Sequence, residues 1–450
     1  MNYREAIAWI IERSGYDRGF VANPFLGDDV AALGLRRTAG ILRRLGSPET
    51  GFRIIHVAGT KGKGSTSATS ATLARGAGLS TGVYATPHLH TFRERILIGD
   101  APIPELEFAA IADLVRPVDR ALQAEEPEIG EPTAFEVATA MALLAFARAG
   151  VDLAVVEVGM GGRLDATNVV TPDVAAITAI SLDHTAILGE TLAEIAIEKG
   201  GIIKPGRPVV VGPQPAEARA VLKRIAAERG SPLYQSGQDW LAESGEGGAH
   251  LSGPWGDWRE VDLALKGVHQ VENAGVALMA LWLLNPSLLA NEDQVRRSLA
   301  SVRWPGRFER VAAEPAIYVD GAHNVDSIER LVETVAPLVS GNLTIILGVS
   351  RDKDVEGMVR VLAPLSPTII ATASHNPRAA DPERIAVAAS SVSLPVEIST
   401  SVADALAHAR SLARPDDLIL VTGSLYAVAE AREALGLAES PEFERRLLYG

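Results

Sequence analysis

The chain has 450 residues, 47% of them hydrophobic, with a formal net charge of −14; that predicts two or three domains serving small ligands, and argues against general binding of nucleic acid or an anionic membrane. It contains no cysteine, which excludes disulfides, thiolate metal sites and thiol nucleophiles and fits a reducing compartment. The opening Met-Asn-Tyr-Arg-Glu-Ala-Ile is not a signal peptide and no run of about eighteen uncharged apolar residues follows, so a soluble, cytoplasmic protein is expected.

The first fifty residues carry helical periodicity, interrupted by a Gly- and Pro-containing segment around Asn23 to Gly27, and are expected to form a helical lid or collar. Apolar strands at Ile54–Ala58, Leu153–Val158, Val174–Ile180 and Val209–Val211 then alternate with helices, the pattern of a parallel sheet covered on both faces. The segment from Ser231 to Gly267 is rich in Gly, Ser and Trp, lacks that alternation, and predicts a small antiparallel excursion. Helices near Gln270–Leu284 and Asp293–Val302 lead to Trp304-Pro-Gly-Arg307, read as a linker between residues 1–303 and 308–450. Beyond it, strands at Ala316–Asp320, Leu343–Leu347, Thr368–Ala371, Val396–Ile398 and Leu418–Val421 predict a smaller, Rossmann-like α/β domain.

The most informative string is Ala58-Gly-Thr-Lys61-Gly62-Lys63-Gly64-Ser65-Thr66, set between a strand and a small-residue helix from Ser65 to Gly78. Glycines let backbone N–H groups converge on an anion, Lys63 adds charge, and the helix N-terminus adds its dipole, which together read as a nucleoside-triphosphate cradle. Gly64 stands between the lysine and the hydroxyls, a departure from the common phosphate-loop pattern, and an unliganded Gly-rich turn is the bland alternative.

Further polar clusters follow strands, where ligands of parallel sheets bind. Glu157, at a strand end, is either a Mg²⁺ ligand facing a triphosphate or a carboxylate capping the next turn. His184 of Asp183-His184 either meets a metal or phosphate or is structural. Lys199, near the end of a helix starting at Thr191, reads from its position alone as a partner of the helix dipole. In the second half, Arg307 and the Asp320-Gly-Ala-His323-Asn324 turn either complete the nucleotide site on domain closure or form an ordinary βα turn with Asn324 as helix cap. Ser424, in Thr422-Gly-Ser-Leu425, is a candidate to position a substrate or a helix N-cap.

Nine strings in order resemble the folylpolyglutamate synthase and dihydrofolate synthase family, a branch of the Mur ligases: Gly59 to Thr66, Thr86-Pro-His-Leu89, Phe135-Glu136, Glu157 to Asn168, Leu182-Asp-His184, Glu198-Lys199, Pro305-Gly-Arg307, Asp320 to Asn324 and Asp352-Lys-Asp354. The resemblance spans nearly the whole chain. It implies an N-terminal P-loop ATPase domain of Mur ligase type with a parallel sheet, and a smaller C-terminal Rossmann-like α/β domain that receives glutamate.

The resemblance also implies site roles. ATP would be held by Lys61, Gly62, Lys63, Gly64 and Ser65 with Asn273, Arg307 and Asp320. Mg²⁺, two ions in all, would be held by Thr86, Glu157 and His184 with Lys199, which matches a lysine that becomes carbamylated; that implication replaces the dipole reading. The pteroate part of the acceptor would contact Thr133, Phe135 and Glu136 and the Leu164-Asp165-Ala166 segment. Lys63, Lys199 and His323 are the expected catalytic groups, with His323 and Ser424 positioning the incoming glutamate. Departures are Lys61 where Asn is frequent, Thr86 where Ser is usual, Met160 where Leu is usual and Gly200 where Ala is usual.

The implied partners are ATP, L-glutamate and dihydropteroate or a folate, joined through an acyl phosphate by a monomer. A Mur-type ligase for another carboxylated substrate is the competing enzyme reading. A catalytically silent nucleotide-binding protein would lack a metal or phosphate group, and Lys63, Glu157, His184 and Lys199 are all present.

Overall fold

A computed structural model of the chain describes residues 1–13, 28–438, 440, 441, 443, 444 and 447; the expected interruption around Asn23 to Gly27 lies outside them. The apolar, β-branched run Arg53–Ala58 (β1) is buried along both faces, as a central parallel strand must be. It stands in an eight-stranded sheet with Thr81–Tyr84 (β2), Ile96–Ile98 (β3), Ala101–Pro102 (β4), Leu153–Glu157 (β5), Val174–Ile177 (β6), Val209–Val211 (β7) and Leu233–Gln235 (β8), in the order β4-β3-β2-β5-β1-β6-β7-β8. Strands β2, β5, β1, β6, β7 and β8 run parallel, and β3 and β4 add an antiparallel edge.

Alternation along β1 sends Ile54 to one face and Ile55 and Val57 to the other. On the first face the helices Tyr3–Ile11, Glu105–Glu125 and Ala134–Ala149 supply Ile7, Ile10, Phe108, Met141 and Phe146. On the second, Lys63–Gly76 and Val268–Leu284 supply Leu73, Val276 and Leu278. The first helices are therefore core, not a lid: Ile7, Ile10 and Ile41 are fully buried under the sheet. Their polar residues, such as Arg4, Glu5, Arg36 and Arg43, are exposed on the opposite face.

Two sequence expectations shift. The antiparallel excursion is confined to Leu241–Gly245 (β9), Gly248–Gly253 (β10) and Gly256–Val261 (β11), whereas β8 pairs in parallel with β7 and extends the main sheet. The excursion is tied to the core by Trp240, which packs on the helix Val268–Leu284 where Gly275 leaves no side chain in the way, and by Trp258 in the same buried cluster. The strand expected to run to Ile180 stops at Ile177, because Thr178 and Ala179 turn to hold the glycine-rich loop: the Thr60 and Lys61 N–H groups donate to the Ala179 carbonyl at 2.9 and 3.2 Å.

The second sheet comprises Glu309–Ala313 (β12), Ala316–Val319 (β13), Leu343–Leu347 (β14), Thr368–Ala371 (β15), Val396–Ile398 (β16) and Leu418–Thr422 (β17), ordered β12-β13-β17-β14-β15-β16. All are parallel except β12, an antiparallel edge the sequence did not announce. Helices such as Val325–Val335 and Val355–Leu362 cover one face, and Val402–Leu412 and Leu425–Ala434 the other. The molecule is thus α/β throughout, with two parallel-rich sheets. No described helix is long and apolar enough to cross a membrane.

Gly82 of β2 lets the helix Ala134–Ala149 approach so closely that a Cβ there would lie 2.4 Å from the Phe146 ring. Gly82→Ala is expected to destabilise the fold by about 1–3 kcal/mol through overpacking. A lower urea midpoint with an unchanged m-value checks it.

Candidate active site

The C-terminal ends of β1, β2, β5 and β6 open into a cavity of about 630 Å³ that is closed on its far side by residues from the second sheet. The glycine-rich loop forms its floor. Gly62 sits at φ 87°, a conformation that favours glycine, and begins the helix Lys63–Gly76; a Cβ there would lie 2.1 Å from Asn273 Oδ1. Gly64 has a separate reason: a Cβ would lie 2.7 Å from Trp304 Nε1, so the departure from the usual loop pattern makes room for that indole. Thr178 Oγ1 donates to the Lys61 carbonyl at 2.6 Å and completes the clasp on the loop.

Three lysines surround this floor. Lys63 Nζ donates to the Gly59 carbonyl at 3.1 Å and Lys199 Nζ donates to the same oxygen at 2.9 Å, while Lys61 pairs with Asp183 at 3.2 Å. Lys199 is 4% exposed, and burial, then the Lys63 charge, brings its pKa down to about 7. It lies beneath the cavity wall rather than on it, and the dipole reading of its position does not hold: its amine turns inward to the loop. Burial opposes ionisation of Asp183, but the Lys61 ammonium and His184 outweigh it and leave the carboxyl at about 2.

The carboxylates behave differently. Glu157 is buried, accepts a long hydrogen bond from the Thr86 N–H at 3.4 Å, and is pushed up to about 7 by desolvation in spite of the Lys63 and Arg307 charges. Asp165 is also raised by burial, against hydrogen bonds from Thr167 and the Met160 N–H. His184, half-exposed at the cavity mouth and at φ 50°, starts the short helix Thr185–Leu188.

Among the other expected residues, Phe135, Leu164, Asp165 and Ala166 line one arm of the cavity. Thr133 and Glu136 line it too, but both are committed to structure. Thr133 caps the helix Ala134–Ala149, and Glu136 is gripped by both arms of the Arg37 guanidinium, each at 2.7 Å. From the second sheet come Arg307, Asp320, His323 and Ser424. Asp320 accepts from the Phe308 and Ala322 N–H groups at 2.7 and 2.8 Å. Ser424 caps the helix Leu425–Ala434, accepting from the Ala427 N–H at 3.1 Å, and Asn324 caps Val325–Val335 in the same way. The bland readings of Ser424 and Asn324 therefore hold alongside any further role. His323 is held neutral, its pKa brought down to about 4 by burial and the Lys61 charge; Nδ1–H donates to the Gly321 carbonyl at 2.8 Å, which leaves Nε2 an acceptor.

Sequence reasoning missed Arg37, Arg95 and Arg378, all on the cavity wall, and gave His88 and Lys353 no role although both lie in quoted strings. Arg95 Nε donates to His88 Nδ1 at 2.9 Å across the Thr86-Pro-His loop. A search for isolated arginines near the strand ends would have raised Arg95; Arg37 lies 99 residues from its partner and left no local signal.

The family model described as "Mur ligase middle domain" matches residues 57–281, and "Mur ligase, glutamate ligase domain" matches residues 306–425. A Bacillus subtilis dihydrofolate synthase/folylpolyglutamate synthase is 35% identical over 89% of this chain and 95% of its own length. The structure of Escherichia coli FolC in complex with DHPP and ADP superposes with a TM-score of 0.81 at 30% identity, over 96% of this chain and 97% of that one. A Haloferax volcanii relative named as a probable bifunctional folylpolyglutamate synthase/dihydropteroate synthase is 35% identical over 99% of this chain, which spans 52% of that longer protein. Two Mur ligase domain matches and relatives aligned over nine-tenths of the sequence place the chain in the folylpolyglutamate synthase/dihydrofolate synthase family of ATP-dependent, amide-forming ligases.

Proposed function

We propose that this chain uses ATP to join the α-amine of L-glutamate to the carboxylate of dihydropteroate, of a reduced folate, or of both. The observation that carries the reading is one cavity shared by a lysine-rich phosphate loop, two buried carboxylates and the Asp320 and Ser424 turns of the second sheet. Residues 1–303 and 308–450 would act as two domains hinged on 304–307, with the acceptor arm at Thr133 to Glu136 and Leu164 to Ala166.

The loop N–H groups and Lys63, released from the Gly59 carbonyl, would bind the β- and γ-phosphates, with Asn273, Arg307 and Asp320 on the rest of the nucleotide. An acceptor carboxylate oxygen attacks the γ-phosphorus, ADP leaves, and an acyl phosphate remains. The glutamate amine then attacks the acyl carbon and phosphate leaves as the amide forms. His323, neutral with Nε2 as acceptor, is suited to orient that amine and accept its hydrogen bond. Ser424 would contribute through the position of its helix start, since its oxygen already accepts a backbone N–H.

The donor set fits Mg²⁺. Among the described residues no three His, Asp or Glu gather closely enough to hold an ion alone, and Mg²⁺ at a nucleotide takes one or two protein groups with phosphate oxygens and water completing the shell. Glu157 supplies a buried carboxylate short of counter-charge, Thr86 beside it a hydroxyl oxygen, and His184 a nitrogen on the wall of the same cavity. With a carbamylated Lys199 they would hold two ions. When bound, those ions neutralise charge that builds on the phosphoryl oxygens. Carbamylation of Lys199 is supported by its burial and by a pKa near 7, which leaves much of the amine neutral and able to add carbon dioxide.

Phosphate release from ATP with Mg²⁺ and glutamate, measured with dihydropteroate, tetrahydrofolate or no acceptor and with mass analysis of products, tests the assignment. Stimulation with glutamate added to at least one acceptor is expected; no product with either removes the folate reading. Lys63→Ala is expected to lower kcat by about 10²–10³, the usual cost of losing one preorganised cation or donor, in the same assay. Intact-mass spectrometry under bicarbonate should show the wild type heavier by one carbon dioxide and Lys199→Arg without that addition; equal masses would remove the carbamate.

A further inference from the structure

His56 is the one polar side chain inside β1. It is fully buried, and its in-register neighbours Val156 of β5 and Ala175 of β6 are aliphatic, as are Ile54 and Ala58 two positions away. Its Nε2 lies 2.9 Å from Thr167 Oγ1, and its Nδ1 has no partner among the described residues. Thr167, also fully buried, turns both its N–H and its hydroxyl to Asp165 Oδ1, at 2.9 and 2.5 Å. Asp165 Oδ2 accepts from the Met160 N–H at 3.0 Å, and Asp165 lines the cavity.

The protons in this chain can be assigned from the hydrogen-bond network. A hydroxyl has one proton, and the carboxylate takes it, so toward His56 the Thr167 oxygen can only accept. His56 must then be the Nε2–H tautomer, with a bare Nδ1. Burial, reinforced by the Lys204 charge, keeps the ring uncharged, with a pKa brought down to about 3. An aliphatic residue at 56 would serve the sheet without stranding a buried nitrogen, and a stranded polar atom in a core needs an offsetting role.

We propose that His56 is a positioning residue for the acceptor site: its Nε2–H fixes the Thr167 oxygen so that the hydroxyl proton stays on Asp165 Oδ1, which orients the Asp165 carboxylate toward N–H groups of the acceptor's ring. The inference rests on the reading that Leu164–Ala166 contacts the acceptor. The relay ends at Asp165 and makes no hydrogen bond to the glycine-rich loop, so under the proposed function its effect falls on acceptor affinity rather than on ATP. Gln at position 56 carries an amide N–H at about the reach of Nε2 and can replace it; Leu cannot.

Steady-state kinetics with dihydropteroate and tetrahydrofolate as acceptors test it. His56→Leu is expected to raise the acceptor KM about tenfold with the ATP KM within about threefold, the pattern of a lost ground-state contact on one substrate. Thr167→Val, which removes the hydroxyl at nearly constant volume, should do the same and serves if His56→Leu does not fold. His56→Gln should return the acceptor KM to within about threefold of wild type. Asp165→Asn is measured in parallel. If Asp165→Asn raises the acceptor KM while His56→Leu and Thr167→Val leave it unchanged, or if His56→Gln is as impaired as His56→Leu, the relay is wrong. An equal rise in both KM values would assign His56 to general packing and also overturn it. If Asp165→Asn itself leaves the acceptor KM unchanged, the acceptor-site reading fails and the relay with it.

Discussion

Two lysine amines, Lys63 and Lys199, donate to one backbone oxygen, the Gly59 carbonyl, and a third lysine stands at the next turn. Most of the site follows from that crowding. Lys199 is the buried one of the two, and desolvation first, with the neighbouring Lys63 charge second, brings its pKa down to about 7. The same cations do not satisfy Glu157, which remains near 7 because it is buried away from direct contact with them. A site with charge held apart in this way is poorly neutralised by itself. Under the proposed function, ATP with its counter-ions bound near Lys63 and Glu157 would supply the missing charge on both sides.

The second sheet meets this floor with groups whose hydrogen bonds are already made. Asp320 is held by two backbone N–H groups, Ser424 and Asn324 cap helices, and His323 is fixed through Nδ1. Each comes from a turn directly after β13 or β17, so its position is set by strands that pair in parallel with each other, and under the proposed function its value would be rigid placement. Groups that need no rearrangement cost little to use when substrates arrive. On the acceptor arm the Arg37–Glu136 pair does similar work, joining the helix Asp28–Arg44 to the helix that presents Phe135.

Central strands and the motifs that follow them were legible because the physics is local. β1, β5 and β7 are dominated by apolar, β-branched residues, and Gly62 and Lys63 announce a phosphate-type loop by residue type and spacing. What escaped was set by contacts distant in sequence. The inward turn of Lys199 depends on a loop 140 residues earlier, and nothing within its own helix distinguishes it from a lysine serving the dipole. β8 and β12 are short edge strands of mixed character, three and five residues, whose partners decide their fate. β6 ends early because Thr178 and Ala179 are needed to hold the phosphate loop, a tertiary demand that overrides a sequence still apolar as far as Ile180. His56 carries no local signal of a role, since its partner, Thr167, lies 111 residues away.

Gly64 and Trp304 connect the floor to the turn that leads into the second sheet. The indole of Trp304 lies where a side chain at 64 would be, against the first turn of the helix that follows the glycine-rich loop. Arg307, three residues on, lines the cavity, and the Gly306 carbonyl accepts the Gly321 N–H at 3.0 Å, beside Asp320. A rotation at 304–307 therefore cannot leave the loop untouched: it carries Trp304 across Gly64 at one end and the Asp320 turn at the other. Packed interiors respond to such shifts in steps, because contacts are either made or lost. If 304–307 is the hinge proposed above, the extra glycine, which looks like a flaw in a phosphate-binding pattern, would be the point at which the loop and the second sheet move together.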